Sequence, residues 1–173
     1  MLKKFPPKYS SMPAGKVKIV VFGSYNAGKS TFIQAIDPES RHVEAHAENG
    51  DTTVALDFGR TSVHNLQVYL FGTPGQERFE FVRQIISRGM DAAILMVDCS
   101  IGIDEFTRNI HLALSDQGIP MAMMLNKCDL SEACPAMARR ELPGPLLFEI
   151  SAQDPESARA ALSRFVDSIA GDL

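Results

Sequence analysis

The run Gly23-Ser24-Tyr25-Asn26-Ala27-Gly28-Lys29-Ser30 limits what this chain can fold into more than any other stretch. A GxxxxGKS loop works only between a strand and a helix. Its glycines let the backbone curl until successive N–H groups face one concavity, and the helix that follows adds the positive end of its dipole. The flanks meet that demand: Val17-Lys18-Ile19-Val20-Val21-Phe22 reads as a buried strand, and Ser30-Thr31-Phe32-Ile33-Gln34-Ala35-Ile36 as the first turns of a helix. The concavity is a phosphate site. Gly23, Asn26, Ala27, Gly28, Lys29, Ser30 and Thr31 form the nucleotide-binding set, with Lys29 reaching the β and γ phosphates and the Ser30 hydroxyl ligating a bridging Mg²⁺.

The rest of the chain supplies a sheet around that loop. From Lys16 onward, strand-like runs near 16–22, 54–60, 66–71, 91–98, 119–125 and 145–150 alternate with helical periods near 29–36, 78–88, 103–116, 131–141 and 155–170. This order is the mark of an α/β sheet with helices on its faces. The last helix carries Ala158, Ala161, Leu162, Phe165 and Ile169 on one stripe, which reads as core packing. The second and third strands pair as a hairpin through a turn near Ser62 to Asn65. With 173 residues, 45% hydrophobic, one core is the expectation.

A net charge of −4 excludes a general nucleic-acid binder, which needs concentrated Lys and Arg. The apolar runs Ala92 to Val97 and Ile119 to Leu125 are too short to span a membrane. Cys99, Cys128 and Cys134 are odd in number and lack metal-ligand spacing, which fits free thiols in a reducing, cytoplasmic setting. Residues 1–15 read as a flexible leader; Lys3, Lys4 and Lys8 beside Phe5 and Tyr9 leave peripheral membrane contact open.

Residues 37 to 52 offer almost nothing to a core and read as a structureless lid or switch loop ending at Thr53. His42 and His46, beside Glu44 and Glu48, show no third ligand and read as a solvated loop face. Asn126-Lys127-Cys128-Asp129 and Ser151-Ala152 each end a strand, where open α/β sheets bind ligands. Guanine presents two donors, N1–H and the 2-amino group, that one carboxylate accepts together; adenine presents neither there. Asp129 therefore selects guanine. Asn126 ties its loop to the phosphate loop, the Lys127 stem lies on the base plane, and the Ala152 N–H meets the 6-oxo group beside Ser151.

Phosphate loop, Thr53, Gly75-Gln76, Asn-Lys-x-Asp and Ser-Ala stand in this order over roughly residues 16 to 170, and together they resemble the Ras-like small GTPases. Gly75-Gln76-Glu77-Arg78-Phe79 is similar to the Rab branch, and Phe71-Gly72-Thr73-Pro74-Gly75-Gln76 resembles the prokaryotic small GTPases more closely. The resemblance implies a Ras-like phosphate-loop domain over 16–173. Its mostly parallel six-stranded sheet would have one antiparallel edge strand and helices on both faces. It also implies Gln76, Lys29, Thr53 and Gly75 as the catalytic set, GTP and GDP as substrate and product, and Mg²⁺ as cofactor.

Two positions depart from the family. Gly72 stands where Ras-like proteins have the Asp that holds a Mg²⁺ water. Asp57, on the neighbouring strand, is the candidate substitute, completing a metal set with Ser30 and Thr53. Tyr25 stands where Ras has a glycine beside the γ-phosphate, and a phenol there crowds an activator's arginine. With Gly50 at the usual in-cis position, no arginine stands ready. Turnover on the order of 10⁻⁴ to 10⁻³ per second is then expected.

These readings add up to a GTP-dependent switch, favoured as a monomer, whose 37–53 and 72–82 segments are read by activating and effector proteins, roadblock-type ones among them. Phe58, Phe79 and Phe81 are the expected apolar anchors. The alternatives are a non-hydrolysing GTP-binding interaction module and an ATP-dependent phosphate-loop kinase.

Overall fold

The computed structural model describes residues 15–46, 53–76 and 80–170, except for the side chains of 44–46 and 53–55. The leader expected over 1–15 falls almost wholly outside the described residues, as does Phe79.

Seven strands form one sheet in the order β2-β3-β4-β1-β5-β6-β7. They are β1 (Lys16–Phe22), β2 (Arg41–His46), β3 (Thr53–Val63), β4 (Leu66–Gly72), β5 (Ala92–Asp98), β6 (Met121–Asn126) and β7 (Leu147–Glu149). The central strand, β1, lies parallel to both β4 and β5, and β6 and β7 continue the parallel half. β3 runs antiparallel to both of its neighbours, β2 and β4. The helices are α1 (Lys29–Ile36), α2 (Glu80–Ile86), α3 (Glu105–Asp116), α4 (Pro135–Glu141) and α5 (Pro155–Ile169).

Strand periodicity divides the core in two. Val17, Ile19 and Val21 face a cluster with Phe32 and Ile33 of α1 and the Ala158, Ala161, Leu162, Phe165, Val166 and Ile169 stripe of α5. Val20 and Phe22 point the other way, into a cluster with Ile110 and Leu114 of α3 and Ala138 of α4. Each fully buried large side chain contributes about 1.5–3 kcal/mol. Asp154 caps α5 by accepting from the Glu156 N–H at 3.0 Å, with Pro155 in the first turn, so this helix starts where its sequence says.

The α/β architecture is the expected one, with two differences in the sheet. Residues 41–46, read as part of a structureless loop, form β2, from Arg41 opposite Phe58 to His46 opposite Thr53. The antiparallel strand, β3, is therefore second from the edge, and the sheet has seven strands rather than six. The physical reason is that β2 is an edge strand with Arg41, His42 and Val43 all exposed. Its charged side chains blunt the edge, and hydrophobic periodicity carries no signal where nothing is buried. The hairpin between β3 and β4 turns at His64-Asn65, inside the expected stretch, with His64 at φ 50°. No helix of the described residues is long and apolar enough to cross a membrane.

Phe165 is fully buried against β1 and α1. Phe165→Ala is expected to cost about 3–5 kcal/mol in urea unfolding, whereas Leu112→Ala, at a site 60% exposed, should stay within about 0.5 kcal/mol.

Candidate functional site

The carboxyl ends of β1, β4, β6 and β7 open on a cleft of about 600 Å³, lined by Tyr25, Asn26 and Gly28–Thr31, by Thr73–Gln76, by Asn126, Lys127, Asp129 and Leu130, and by Ser151–Gln153. Strand order brings these loops together: β1 is flanked by β4 and β5, and β6 lies between β5 and β7. Of the expected phosphate-loop set, Asn26, Gly28, Lys29, Ser30 and Thr31 line the cleft, while Gly23 and Ala27 are buried behind it. Gly28 has φ 98°, and a Cβ there would fall 2.2 Å from Asn126 Nδ2, so both backbone conformation and space require glycine.

Asn126, 3% exposed, fastens the loops. Its Nδ2 donates to the Ala27 carbonyl at 2.9 Å, and its Oδ1 accepts from the Ala152 N–H at 2.8 Å. The tie to the phosphate loop is as expected. The Ala152 N–H, expected at the 6-oxo group, serves the loop itself, because the Asn126 amide oxygen lies buried within its reach. Lys127, at φ 64°, has its ammonium paired with the Asp98 carboxylate at the end of β5, which fixes its stem across the cleft wall. Burial alone would raise the Asp98 carboxyl; hydrogen bonds from Lys127 and Ser100 bring it below its ordinary value. Asp129 is exposed at the cleft, free to meet a ligand's donors from the side.

Lys29 is folded onto its own loop, its Nζ donating to the carbonyls of Gly23 at 2.8 Å and Ser24 at 2.7 Å. Burial lowers its ammonium to about 8; Asp57 opposes that fall and Arg83 adds to it. A phosphate in the cleft would supply the anionic partner that such a buried ammonium favours. Gly75, in the segment after β4, packs against that loop: a Cβ there would stand 2.4 Å from the Tyr25 nitrogen and 2.8 Å from Lys29 Nζ. Gln76 is half-buried in the cleft wall, and Tyr25, 67% exposed, stands at its mouth. Thr53 begins β3, and its side chain lies outside the described residues.

Asp57 reaches the phosphate loop from β3. Its Oδ2 accepts from Ser30 Oγ at 2.5 Å, and its Oδ1 lies 2.7 Å from His42 Nδ1 on β2. A Cβ built on Gly72 would fall 3.1 Å from Asp57 Cβ and 3.3 Å from Oδ2, so Asp57 fills the space that a side chain at position 72 would need. Ser30 and Asp57 are adjacent hard-oxygen donors. Among the described residues no group of three or more His, Cys, Asp or Glu could hold a metal. A small donor set of this kind fits Mg²⁺, which takes one or two protein oxygens and completes its shell with phosphates and water. His42 is exposed, as expected, but it sits on β2 rather than in a loop, and the register places it opposite Asp57.

Arg83 is the residue that sequence reasoning missed. It is 4% exposed, its Nη1 donates to the Pro74 carbonyl at 3.1 Å and the Gln76 carbonyl at 2.6 Å, and its guanidinium lies over the Phe106 ring at 4.8 Å. The available signal was spacing: Val82, Arg83 and Ile86 fall at helical spacing on one stripe.

The sequence matches the elongation factor Tu GTP binding domain over residues 15–166. It is 33% identical to an uncharacterized protein of Methanocaldococcus jannaschii, over 70% of this chain and 76% of that one. It is 31% identical to translation initiation factor IF-2 of Halothermothrix orenii, over 72% of this chain and 18% of the factor. With the IF-2 of Synechococcus elongatus identity is 30%, over 72% of this chain and 12% of the factor. The matched part thus spans less than a fifth of these initiation factors.

The exchange of space between positions 57 and 72 is testable. Asp57→Gly is expected to weaken the Mg²⁺ dependence of guanine-nucleotide release roughly 10- to 100-fold, and adding Gly72→Asp should restore much of it by moving the carboxylate back across one strand. Release rates with Mg²⁺ and with chelator check both.

Proposed function

This chain belongs to the elongation factor Tu GTP-binding domain family, and from that premise we propose that it is a Ras-like guanine-nucleotide switch that hydrolyses GTP slowly to GDP and phosphate. The observation that carries the proposal is the position of Gly75, packed on the phosphate loop against Tyr25 and Lys29 with no room for a side chain. A γ-phosphate entering beside Lys29 must engage or displace that segment, so the third phosphate can be read mechanically.

The chemistry is in-line attack by water. The water oxygen bonds to the γ-phosphorus, the bond from that phosphorus to the β–γ bridging oxygen breaks with its electron pair going to GDP, and the proton ends on the released phosphate. In this reading Lys29 leaves the Gly23 and Ser24 carbonyls for the β and γ phosphates. The Gly75 N–H and Thr53 mark the γ-phosphate, and Gln76 orients the water. Ser30 and Asp57 would hold Mg²⁺, whose charge offsets the negative charge of the phosphate oxygens. Arg83 is committed to the Pro74 and Gln76 carbonyls, so it sets the Gln76 backbone. With positioning as the main contribution, turnover on the order of 10⁻⁴ to 10⁻³ per second follows by analogy with an unassisted Gln-containing GTPase.

Asp129 faces guanine, with Asn126 and Ala152 holding the loops around the base. Partners read the surface beside the cleft. Phe58 is half-buried, with Phe71 at 5.1 Å and Tyr69 at 6.3 Å, so the apolar anchors are Phe81 and Tyr25, 71% and 67% exposed. By the same resemblance, an activator or effector of the roadblock type fits this surface.

Single-turnover hydrolysis tests the proposal. Gln76→Leu is expected to slow it by about 100-fold or more while leaving GTP affinity within about threefold of wild type. Tight GTP binding with no turnover in the wild type would instead favour a non-hydrolysing GTP-binding module. Asp129→Asn should lower GTP affinity at least ~100-fold and favour xanthosine triphosphate, whose 2-oxo group accepts where the guanine 2-amino group donates. ATP should not compete with GTP for the wild type.

A further inference from the structure

Strand β2 places none of its described side chains in the core: Arg41, His42 and Val43 are all exposed. Beside the ladder to β3, a polar side-chain contact ties it down, with His42 Nδ1 2.7 Å from Asp57 Oδ1 and the two residues directly opposite in register. The other Asp57 oxygen, Oδ2, takes the Ser30 hydroxyl at 2.5 Å. One carboxylate is thus divided between two elements, β2 on one side and the start of α1 on the other. His42 also lines the cleft itself.

A carboxylate on a strand turns about its own side-chain bonds, and a partner fixed to one oxygen sets the direction of the other. Metal-ligating carboxylates are held by outer partners in this way. We propose that His42 is a positioning residue for the cation site. By holding Oδ1 it aims Oδ2 beside Ser30 Oγ, and because it rides on β2 it couples docking of that edge strand to cation loading. This rests on the reading of Asp57 as the metal carboxylate. The coupling is reciprocal: if a docked β2 strengthens cation binding, the cation holds β2 on the sheet by the same factor.

A clasp with no tie to the cation would use the same contact, and it makes a different forecast. Removing a simple clasp loosens β2 equally with and without Mg²⁺, and leaves Mg²⁺ affinity alone.

The experiment uses the full chain loaded with a fluorescent GDP, with Mg²⁺ titrated. Two quantities are read: the Mg²⁺ concentration that half-suppresses GDP release, and hydrogen exchange of the 41–46 amides with and without Mg²⁺. His42→Ala is expected to raise the half-effective Mg²⁺ roughly 10- to 100-fold and to abolish the Mg²⁺-dependent protection of β2 expected of the wild type. His42→Asn, which keeps a donor toward Oδ1, should recover most of both effects. If His42→Ala leaves both quantities unchanged while Asp57→Ala shifts the Mg²⁺ dependence, the positioning role is wrong and the metal reading stands. If Asp57→Ala also leaves the Mg²⁺ dependence unchanged, the metal reading itself fails. A His42→Ala shift in Mg²⁺ affinity, with no Mg²⁺-dependent protection of β2 in the wild type, overturns the coupling.

Discussion

The cleft depends on one buried amide. Asn126 donates to the Ala27 carbonyl and accepts from the Ala152 N–H, and so joins the loops after β1, β6 and β7 into one wall. Neither backbone group has water to fall back on, and leaving a buried donor or acceptor unmade costs about 1–3 kcal/mol. Removal of the side chain would strand two such groups at once. The sheet earns its role here by order rather than by bulk: parallel strands carry their carboxyl ends to the same edge, and the loops that leave them are close enough for one side chain to bridge. Among the described residues no buried side-chain nitrogen or oxygen lacks a hydrogen-bond partner, so the side chains of the wall are satisfied as well as tied.

Charge is arranged around the phosphate loop with similar economy. Lys29 is nearly buried, with Asp57 on one side favouring its charge and Arg83 on another opposing it. Burial of an ammonium without a close anion is unfavourable, and an incoming phosphate relieves that cost, which turns part of the burial penalty into affinity for anions. In the proposed cation site the carboxylate comes from β3. With Gly72 bare, the end of β4 leaves a space, and Asp57 of β3 fills it from one strand away. The same geometry brings His42 of β2 into the cluster, so the edge of the sheet and the phosphate loop share a residue.

Much of this was legible in the chain. The order of loop, strand and helix around Gly23 to Ser30 specified β1 and α1, and the apolar stripe of α5 is buried as its period required. The bare Gly72 singled out Asp57, because a missing carboxylate beside the phosphate loop sends the search to the neighbouring strand. What stayed hidden has physical causes. β2 buries none of its described side chains, so it leaves no hydrophobic period to find, and His42 gained its neighbour only through that pairing. Arg83 sits in an apolar stripe and is buried by its contacts with two carbonyls and the Phe106 ring, long-range facts that local propensity does not carry. The Ala152 N–H went to Asn126 because two backbone segments far apart in sequence meet there.

The central claim is that guanine nucleotide and Mg²⁺ occupy this one cleft, with the metal between Ser30 and a carboxylate borrowed from β3. A crystal structure with a non-hydrolysable GTP analogue and Mg²⁺ tests it most directly. The account predicts phosphates wrapped by Gly23 to Ser30, guanine against Asp129, and the cation on Ser30 Oγ with the Asp57 carboxylate bound directly or through one water. A nucleotide lodged elsewhere, or a cation on Ser30 with Asp57 turned away from it, would contradict the account.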